Sequence, residues 1–257
     1  MMFVHGFGCD QHMWRHVAPA FEDDHRVVTL DLVGAGGSDP EAWDPDRYVS
    51  LEAYAADLDG VVRDLDLHDV VLVGHSVSAM SSMLATTLAP ERYAALVMVG
   101  PSPRYIDDGD YHGGFTEADI DGLLASLESN YLGWSATMAP VIIGNPDRPA
   151  LGEELTTSFC RMDPAVAHQF ARVTFLSDCR DSLPTVSVPT LVLQCRQDVI
   201  APEQVGRYVA QSIPGAQLTV LDATGHCPQL SAPTQTIRAI REFLARDAAD
   251  VPELAHS

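Results

Sequence analysis

The sequence predicts an α/β fold, a mostly parallel sheet flanked by helices. Short runs of β-favouring apolar residues alternate with amphipathic helical stretches over most of the chain, which is typical of strand–helix–strand units. Residues 70–73 are apolar at four consecutive positions, as in a strand buried on both faces in the middle of a parallel sheet. Gly74 ends that run, and a helical pattern follows it as far as Pro90.

Length, charge and cysteine content narrow the possible functions. The 257 residues suit one α/β domain with an insertion, and the net charge is −21, with arginine at every basic position. So acidic a chain repels nucleic acid and anionic membranes, and we exclude both as main partners. Five scattered cysteines without C-x-x-C spacing argue against a disulfide framework and a zinc site. We expect a cytoplasmic protein, because free thiols suit a reducing compartment and the sequence contains no signal-peptide or membrane-spanning pattern. We expect it to use no cofactor and no metal.

Ser76 lies in a short motif that indicates nucleophilic chemistry. It occupies the tight turn between the apolar run and the following helix, in a G-x-S-x-S sequence from Gly74 to Ser78. The usual pattern of such a nucleophile elbow is G-x-S-x-G, in which small residues let the strand and helix backbones approach each other. Serine at the fifth position is still small, so we interpret Ser76 as a nucleophile.

A serine nucleophile needs a base and an orienting carboxylate, and both follow later in the chain. Asp198 follows a predicted strand at residues 189–194, and His226 follows another at residues 216–221. The carboxyl ends of parallel strands meet at one edge of a sheet, so we predict a triad of Ser76, Asp198 and His226. Asp222 is a rival carboxylate, ranked lower because it would have to fold back within one short loop.

The predicted oxyanion hole begins at the first strand, residues 1–4. His5-Gly6-Phe7-Gly8 follows that strand, and the backbone N–H of Phe7, together with that of Val77, is expected to hold a developing oxyanion. An ordinary glycine-rich turn is the alternative. Residues 31–39 form another glycine-rich segment, interpreted as a turn because it lacks a phosphate-binding pattern.

The remaining pattern divides the chain into a core and an insertion. Residues 1–100 and 184–246 are predicted to form the core, residues 101–183 a helical lid over the serine, and residues 247–257 a frayed tail. Within the core, further elements are expected at residues 13–21 (helix), 27–30 (strand), 51–65 (helix), 93–99 (strand), 204–213 (helix) and 233–246 (helix).

The insertion is rich in aromatic residues, and prolines divide it into about four helices. Aromatic residues on a lid would line an apolar pocket. The alternative is that most of them form the core of the lid itself, which is the commoner role for any single one. The residues predicted to line the pocket are Phe7, His75, Trp134, Phe159 and Phe175.

Several of these segments together resemble the RsbQ-type α/β hydrolases, which include a bacterial stress-response regulator and the karrikin and strigolactone receptors of plants. The resemblance is carried by residues 3–11, 34–39, 74–80, 100–105, 145–149, 175–180 and 225–228. It implies an α/β-hydrolase fold with a four-helix lid over a closed hydrophobic pocket, a small hydrophobic ligand, and the same triad and oxyanion donors. In the bacterial branch it also implies a PAS-domain serine phosphatase as partner, in a sigma-B-type stress response.

The chain departs from that family at its start. Family members carry a further segment before the H-G-F-G strand, which forms two more strands at one sheet edge, whereas Met1 here already lies in that strand. We therefore expect the first two edge strands to be missing, through a misassigned start codon or a truncated gene. The strand at residues 27–30 would then be an uncovered apolar edge, prone to aggregation.

Two functions fit these residues. The first is a serine hydrolase acting on a small hydrophobic ester or lactone through an acyl-enzyme. The second is a regulator that binds a small hydrophobic molecule and activates a stress-response phosphatase, with turnover incidental. Haloalkane dehalogenation, a third chemistry of this fold, normally needs an aspartate where this chain has Ser76.

Overall fold

The structure is a computed structural model that describes the backbone of residues 1–250 and the side chains of residues 1–246. Within the described residues, six parallel strands form one sheet in the order β2-β1-β3-β4-β5-β6. The strands are β1 (Met2–Val4), β2 (Val28–Leu30), β3 (Val70–His75), β4 (Tyr93–Val99), β5 (Thr190–Gln197) and β6 (Gln217–Thr224).

Helices flank this sheet, and four consecutive ones, α3 to α6, separate β4 from β5. The helices are α1 (Leu51–Asp64), α2 (Val77–Leu88), α3 (Glu117–Ser129), α4 (Tyr131–Ile143), α5 (Pro149–Phe159), α6 (Pro164–Leu176), α7 (Glu203–Ser212), α8 (Pro228–Ser231) and α9 (Pro233–Asp250). The last helix continues past its predicted end at Arg246. Residues 251–257, the rest of the predicted frayed tail, lie outside the described residues.

Strand β3 is the centre of the sheet, as its apolar run predicts. It pairs with β1 on one side and β4 on the other, so that Val73 lies opposite both Phe3 and Val97. All six residues of β3 are buried because helices cover both faces of a parallel sheet. Ser76, the residue that follows β3, is therefore held in a fixed position at the carboxyl edge of the sheet.

The first helix expected from the sequence is wrong in type. Residues 13–21 were predicted to form one helix, but the structure has two 3-10 helices, Gln11–Trp14 and Ala18–Phe21. Pro19 lies inside the predicted helix and has no N–H to donate to a carbonyl four residues earlier, so a continuous α-helix is interrupted there. The apolar spacing still holds, because Trp14 and Phe21 are both buried against Phe3.

Strand β2 lies at one edge of the sheet, and its three residues are half-buried. The aggregation expected of this edge stays a prediction. Within the described residues, no helix is long and apolar enough to cross a membrane.

Candidate active site

Ser76 occupies a strained turn between β3 and α2. Its φ of 58° and ψ of −126° lie in a region that residues other than glycine rarely adopt, and its N–H donates to Val99 O at 2.8 Å. The next residue, Val77, is the first of α2, so the side chain of Ser76 lies at the N-terminus of a twelve-residue helix. This geometry is that of a nucleophile elbow.

The small residues on either side of Ser76 each have a specific contact. A Cβ atom on Gly74 would lie 2.3 Å from the backbone oxygen of Ser78, so glycine is required at that position. The hydroxyl of Ser78, where the usual motif has glycine, donates a hydrogen bond to His5 O. Serine at the fifth position thus ties the elbow helix to the segment that carries Phe7.

Replacing Gly74 by alanine should destabilise the protein by roughly 2–3 kcal/mol, because the added methyl group overlaps a backbone atom that cannot rotate away. Gly60 provides the control, because it lies in the middle of α1 and a Cβ there would meet open space beyond its own helix backbone. Gly60→Ala should stabilise by about 0.5–1 kcal/mol. Urea unfolding of both variants measures this, and a Gly74→Ala variant as stable as the wild type would contradict the described elbow.

The structure brings the three residues of the predicted triad together. His226 Nε2 lies 2.7 Å from Ser76 Oγ, and His226 Nδ1 lies 2.7 Å from Asp198 Oδ2. All three are buried, with exposed fractions of 5% for Ser76, 8% for Asp198 and 4% for His226. The hydrogen-bonded chain from hydroxyl to imidazole to carboxylate is therefore continuous and shielded from water.

Asp198 is held independently of His226. It directly follows β5, and its Oδ1 accepts hydrogen bonds from the backbone N–H groups of Ile200 at 2.8 Å and Ala201 at 3.1 Å. The rival Asp222 lies within β6 rather than in a loop, is 92% exposed, and lies 3.5 Å from Arg196 Nε. Because His226 Nδ1 is already bonded to Asp198, and Asp222 is exposed beside Arg196, Asp198 is the candidate for the orienting carboxylate.

The two predicted oxyanion donors are unpaired. Within the described residues, neither the N–H of Phe7 nor that of Val77 donates a hydrogen bond. The segment before Phe7 packs tightly on the elbow, since a Cβ on Gly6 would lie 3.2 Å from Ser76 Cβ. His5 fixes this segment with its ring, which bonds Gly6 O at 2.9 Å and accepts from Leu32 N at 3.0 Å.

A small apolar cavity lies beside Ser76, and all five residues predicted for the pocket line it. Its other lining residues, besides the triad members Ser76 and His226, are Cys9, Ile142, Leu155, Ile200 and Cys227. The open volume of this cavity is only about 30 Å³, which is room for about two or three water molecules. The cavity is therefore nearly filled by its own side chains.

Aromatic rings do most of this filling. The Phe7 ring meets those of Trp134 and Phe159 edge-on at centroid distances of 6.1 and 5.8 Å, and Trp134 stacks on Phe159 at 5.9 Å. Trp134 belongs to α4 and Phe159 to α5, so the helices inserted between β4 and β5 close the cavity over Ser76.

Three further polar or thiol groups at the cavity are neutral. Burial lowers the pKa of His75 well below its usual value, and its Nε2 donates to the backbone oxygen of His226 at 2.8 Å. Burial raises the pKa of the Cys9 and Cys227 thiols, which keeps them protonated and weakly nucleophilic. Cys227 therefore lines the site and does not compete with Ser76.

The sequence did not identify four of the cavity residues, for two different reasons. Cys9 lies two residues after Phe7 and Ile200 lies two residues after Asp198, and that closeness in sequence could have identified them. Ile142 and Leu155 lie on inserted helices, and which of their faces meets Ser76 depends on how the helices dock.

A larger groove of about 790 Å³ lies elsewhere, between α6 and the start of α1. It is open to solvent and contains none of the triad residues. The smaller cavity, which is lined by both Ser76 and His226, is the candidate site despite its size.

The sequence and the fold are both similar to those of known hydrolases and their relatives. The model of the alpha/beta hydrolase family matches residues 1–239. Karrikin insensitive 2 receptor CA of Petunia hybrida is 37% identical over 97% of this chain and 93% of that protein. A strigolactone esterase of Arabidopsis thaliana is 39% identical over 96% of this chain and 92% of its own length.

Among solved structures, a hydrolase from Oleispira antarctica is similar to this chain with a TM-score of 0.92 and 39% identity. That alignment covers 95% of this chain and 90% of the other.

Proposed function

Since the chain belongs to the alpha/beta hydrolase family, we propose that it is a serine hydrolase that cleaves small hydrophobic esters or lactones through Ser76, His226 and Asp198. The observation that carries this proposal is the unbroken pair of 2.7 Å contacts on the two sides of the His226 ring. The free N–H groups of Phe7 and Val77, close to the nucleophile, also support it.

In the proposed mechanism, His226 Nε2 removes the proton of Ser76 as Oγ attacks the substrate carbonyl. The two backbone N–H groups stabilise the resulting oxyanion, and Asp198 holds the imidazolium in place. His226 then donates the proton to the departing alkoxide, which leaves an ester on Ser76. A water molecule, deprotonated by His226, attacks that ester and releases the acid.

The cavity supports a restricted class of substrate. Its lining is almost wholly apolar, and its own side chains leave only about 30 Å³ open. A compact, uncharged acyl group fits such a space best, and a larger one requires the inserted helices to move. We infer that these helices act as a lid, with boundaries at residues 101–183.

The direct test is labelling with a fluorophosphonate probe, followed by mass spectrometry of the peptides. We expect one adduct, on Ser76, absent in Ser76→Ala and slowed at least about 10³-fold in His226→Ala. Asp222→Asn should be labelled at the wild-type rate. Labelling at another residue, or equal labelling of the His226→Ala variant, would refute the proposed triad.

A second candidate function is ligand sensing. Relatives named as karrikin insensitive 2 receptors support it, as does a site closed beneath an inserted set of helices. In this reading the chain is an RsbQ-type cytoplasmic regulator, and its partner is a PAS-domain serine phosphatase, as the sequence resemblance implies. If Ser76→Ala still activates such a phosphatase, sensing is the function; if activation requires turnover, the two functions are coupled.

A further inference from the structure

The loop that carries His226 is bonded directly to an inserted helix. We name residues 224–226 the His226 loop and residues 142–148, at the end of α4, the α4 turn. The backbone N–H of His226 donates to the oxygen of Ile142 at 2.9 Å. The proposed catalytic base therefore takes one of its backbone contacts from the insertion rather than from the core.

Two glycines let these segments touch without side chains between them. Gly225 has a φ of +92°, and a Cβ on it would lie 1.9 Å from Ile143 O. Gly144 has a φ of +60°, and its Cβ would lie 3.2 Å from the Cα of Gly225. Since both residues adopt backbone conformations that favour glycine, the direct backbone contact depends on them.

One buried amide joins these segments. Asn145, 9% exposed, donates from Nδ2 to Thr224 O at 2.9 Å and also to Ile143 O. Its Oδ1 accepts a hydrogen bond from Arg148, whose other guanidinium nitrogen donates to Ser231 O at 2.8 Å. Asn145 thus uses both polar atoms of its side chain to join the α4 turn, the His226 loop and, through Arg148, helix α8.

We propose that Asn145 is a positioning residue that acts through His226, and that a displacement of the α4 turn displaces the base with it. His75 holds the backbone oxygen of His226 from the core, while the α4 turn holds its N–H and the carbonyl of Thr224. Loss of the second support lets His226 move away from Ser76. The proposal rests on the hydrolase function inferred above, because it assigns Asn145 a role only through the base.

The test compares Asn145→Ala with Gln169→Ala, a matched control. Gln169 on α6 also ties the insertion to the core through one amide, which donates to Pro45 O at 2.6 Å and Tyr48 O at 2.8 Å, at a place remote from His226. We expect Asn145→Ala to lower kcat/KM for p-nitrophenyl butyrate and the rate of fluorophosphonate labelling at least about 10-fold, since small misplacements of catalytic groups have large effects. Gln169→Ala should change neither by more than about 2-fold.

A double variant separates positioning from a general loss of structure. In a His226→Ala background, Asn145→Ala should cause no further loss of residual activity, because the group through which it acts is gone. An equal loss in both backgrounds would overturn the proposal, as would equal labelling rates for Asn145→Ala and Gln169→Ala. Should Asn145→Ala not fold, Asn145→Asp retains the size and the Arg148 contact but loses the donor to Thr224 O.

A readout independent of turnover is the proton shared by His226 Nδ1 and Asp198, which resonates far downfield in the ¹H NMR spectrum. We expect this resonance in the wild type and in Gln169→Ala, and its loss or broadening in Asn145→Ala. An unchanged resonance in folded Asn145→Ala would overturn the positioning role. A wild type that shows the resonance but is not labelled at Ser76 would instead count against the hydrolase function.

Discussion

Replacing Asp198 by asparagine should lower kcat about 10⁴-fold while leaving the protein folded. The Oδ1 position of Asp198 receives two backbone N–H groups, from Ile200 and Ala201, so the amide oxygen of asparagine must take that place. The NH₂ group then faces His226 Nδ1, which must act as an acceptor. The proton of a neutral His226 ring moves to Nε2, and the ring can no longer remove the proton of Ser76.

Steady-state hydrolysis of p-nitrophenyl butyrate measures this effect, with Asp222→Asn as the control. Asp222 is exposed, and its pairing with Arg196 contributes little, so its amide variant should keep kcat within about 2-fold of the wild type. An Asp198→Asn variant that retained more than about a tenth of wild-type kcat would exclude Asp198 as the orienting carboxylate.

Removing the Trp134 side chain should change which acyl groups are accepted. The indole closes the cavity together with Phe7 and Phe159, so Trp134→Ala adds space where only about 30 Å³ was open. We expect the ratio of kcat/KM for p-nitrophenyl octanoate to that for the butyrate to rise about 10- to 100-fold, since each buried methylene is worth about 0.8 kcal/mol. The same change should destabilise the fold by about 3–5 kcal/mol.

The control for this change is Trp43→Ala. Trp43 is half-buried against Gly34, outside the cavity. Its loss should reduce stability without altering the acyl-chain ratio, which is measured at a temperature where both variants are folded. Trp134→Leu provides a less disruptive second variant. An unchanged ratio in both Trp134 variants would show that the cavity is not the acyl site.

The sheet, and the meeting of Ser76, Asp198 and His226 at one edge of it, could be predicted because their signals are local. The four apolar residues before Gly74 predict a buried strand, and Ser76 lies in the turn directly after that strand. Asp198 and His226 each follow a strand. Parallel strands bring their carboxyl ends to one edge of the sheet, however the connecting helices pack. The prediction of one helix at residues 13–21 is wrong for an equally local reason, because the apolar spacing favours a continuous helix and Pro19 interrupts it.

No local pattern in the sequence predicts the contacts of the α4 turn. Residues 145–149 carry part of the family resemblance, but nothing in the sequence indicates their partners Thr224 and Ser231, which lie far along the chain. Hydrogen bonds from a side chain to a distant backbone carbonyl leave no residue pattern, because every residue carries that carbonyl. Such contacts become visible only when the docking of the insertion is known.

The most direct measurement of the central claim is acid quenching during hydrolysis of p-nitrophenyl butyrate, followed by mass spectrometry of the peptides. The mechanism predicts a butyryl group on the peptide that contains Ser76, formed as p-nitrophenol is released and lost as water attacks. Ser76→Ala should show neither the adduct nor turnover. Turnover with a butyryl group on Cys227 or another residue, or unchanged turnover in Ser76→Ala, would contradict the account.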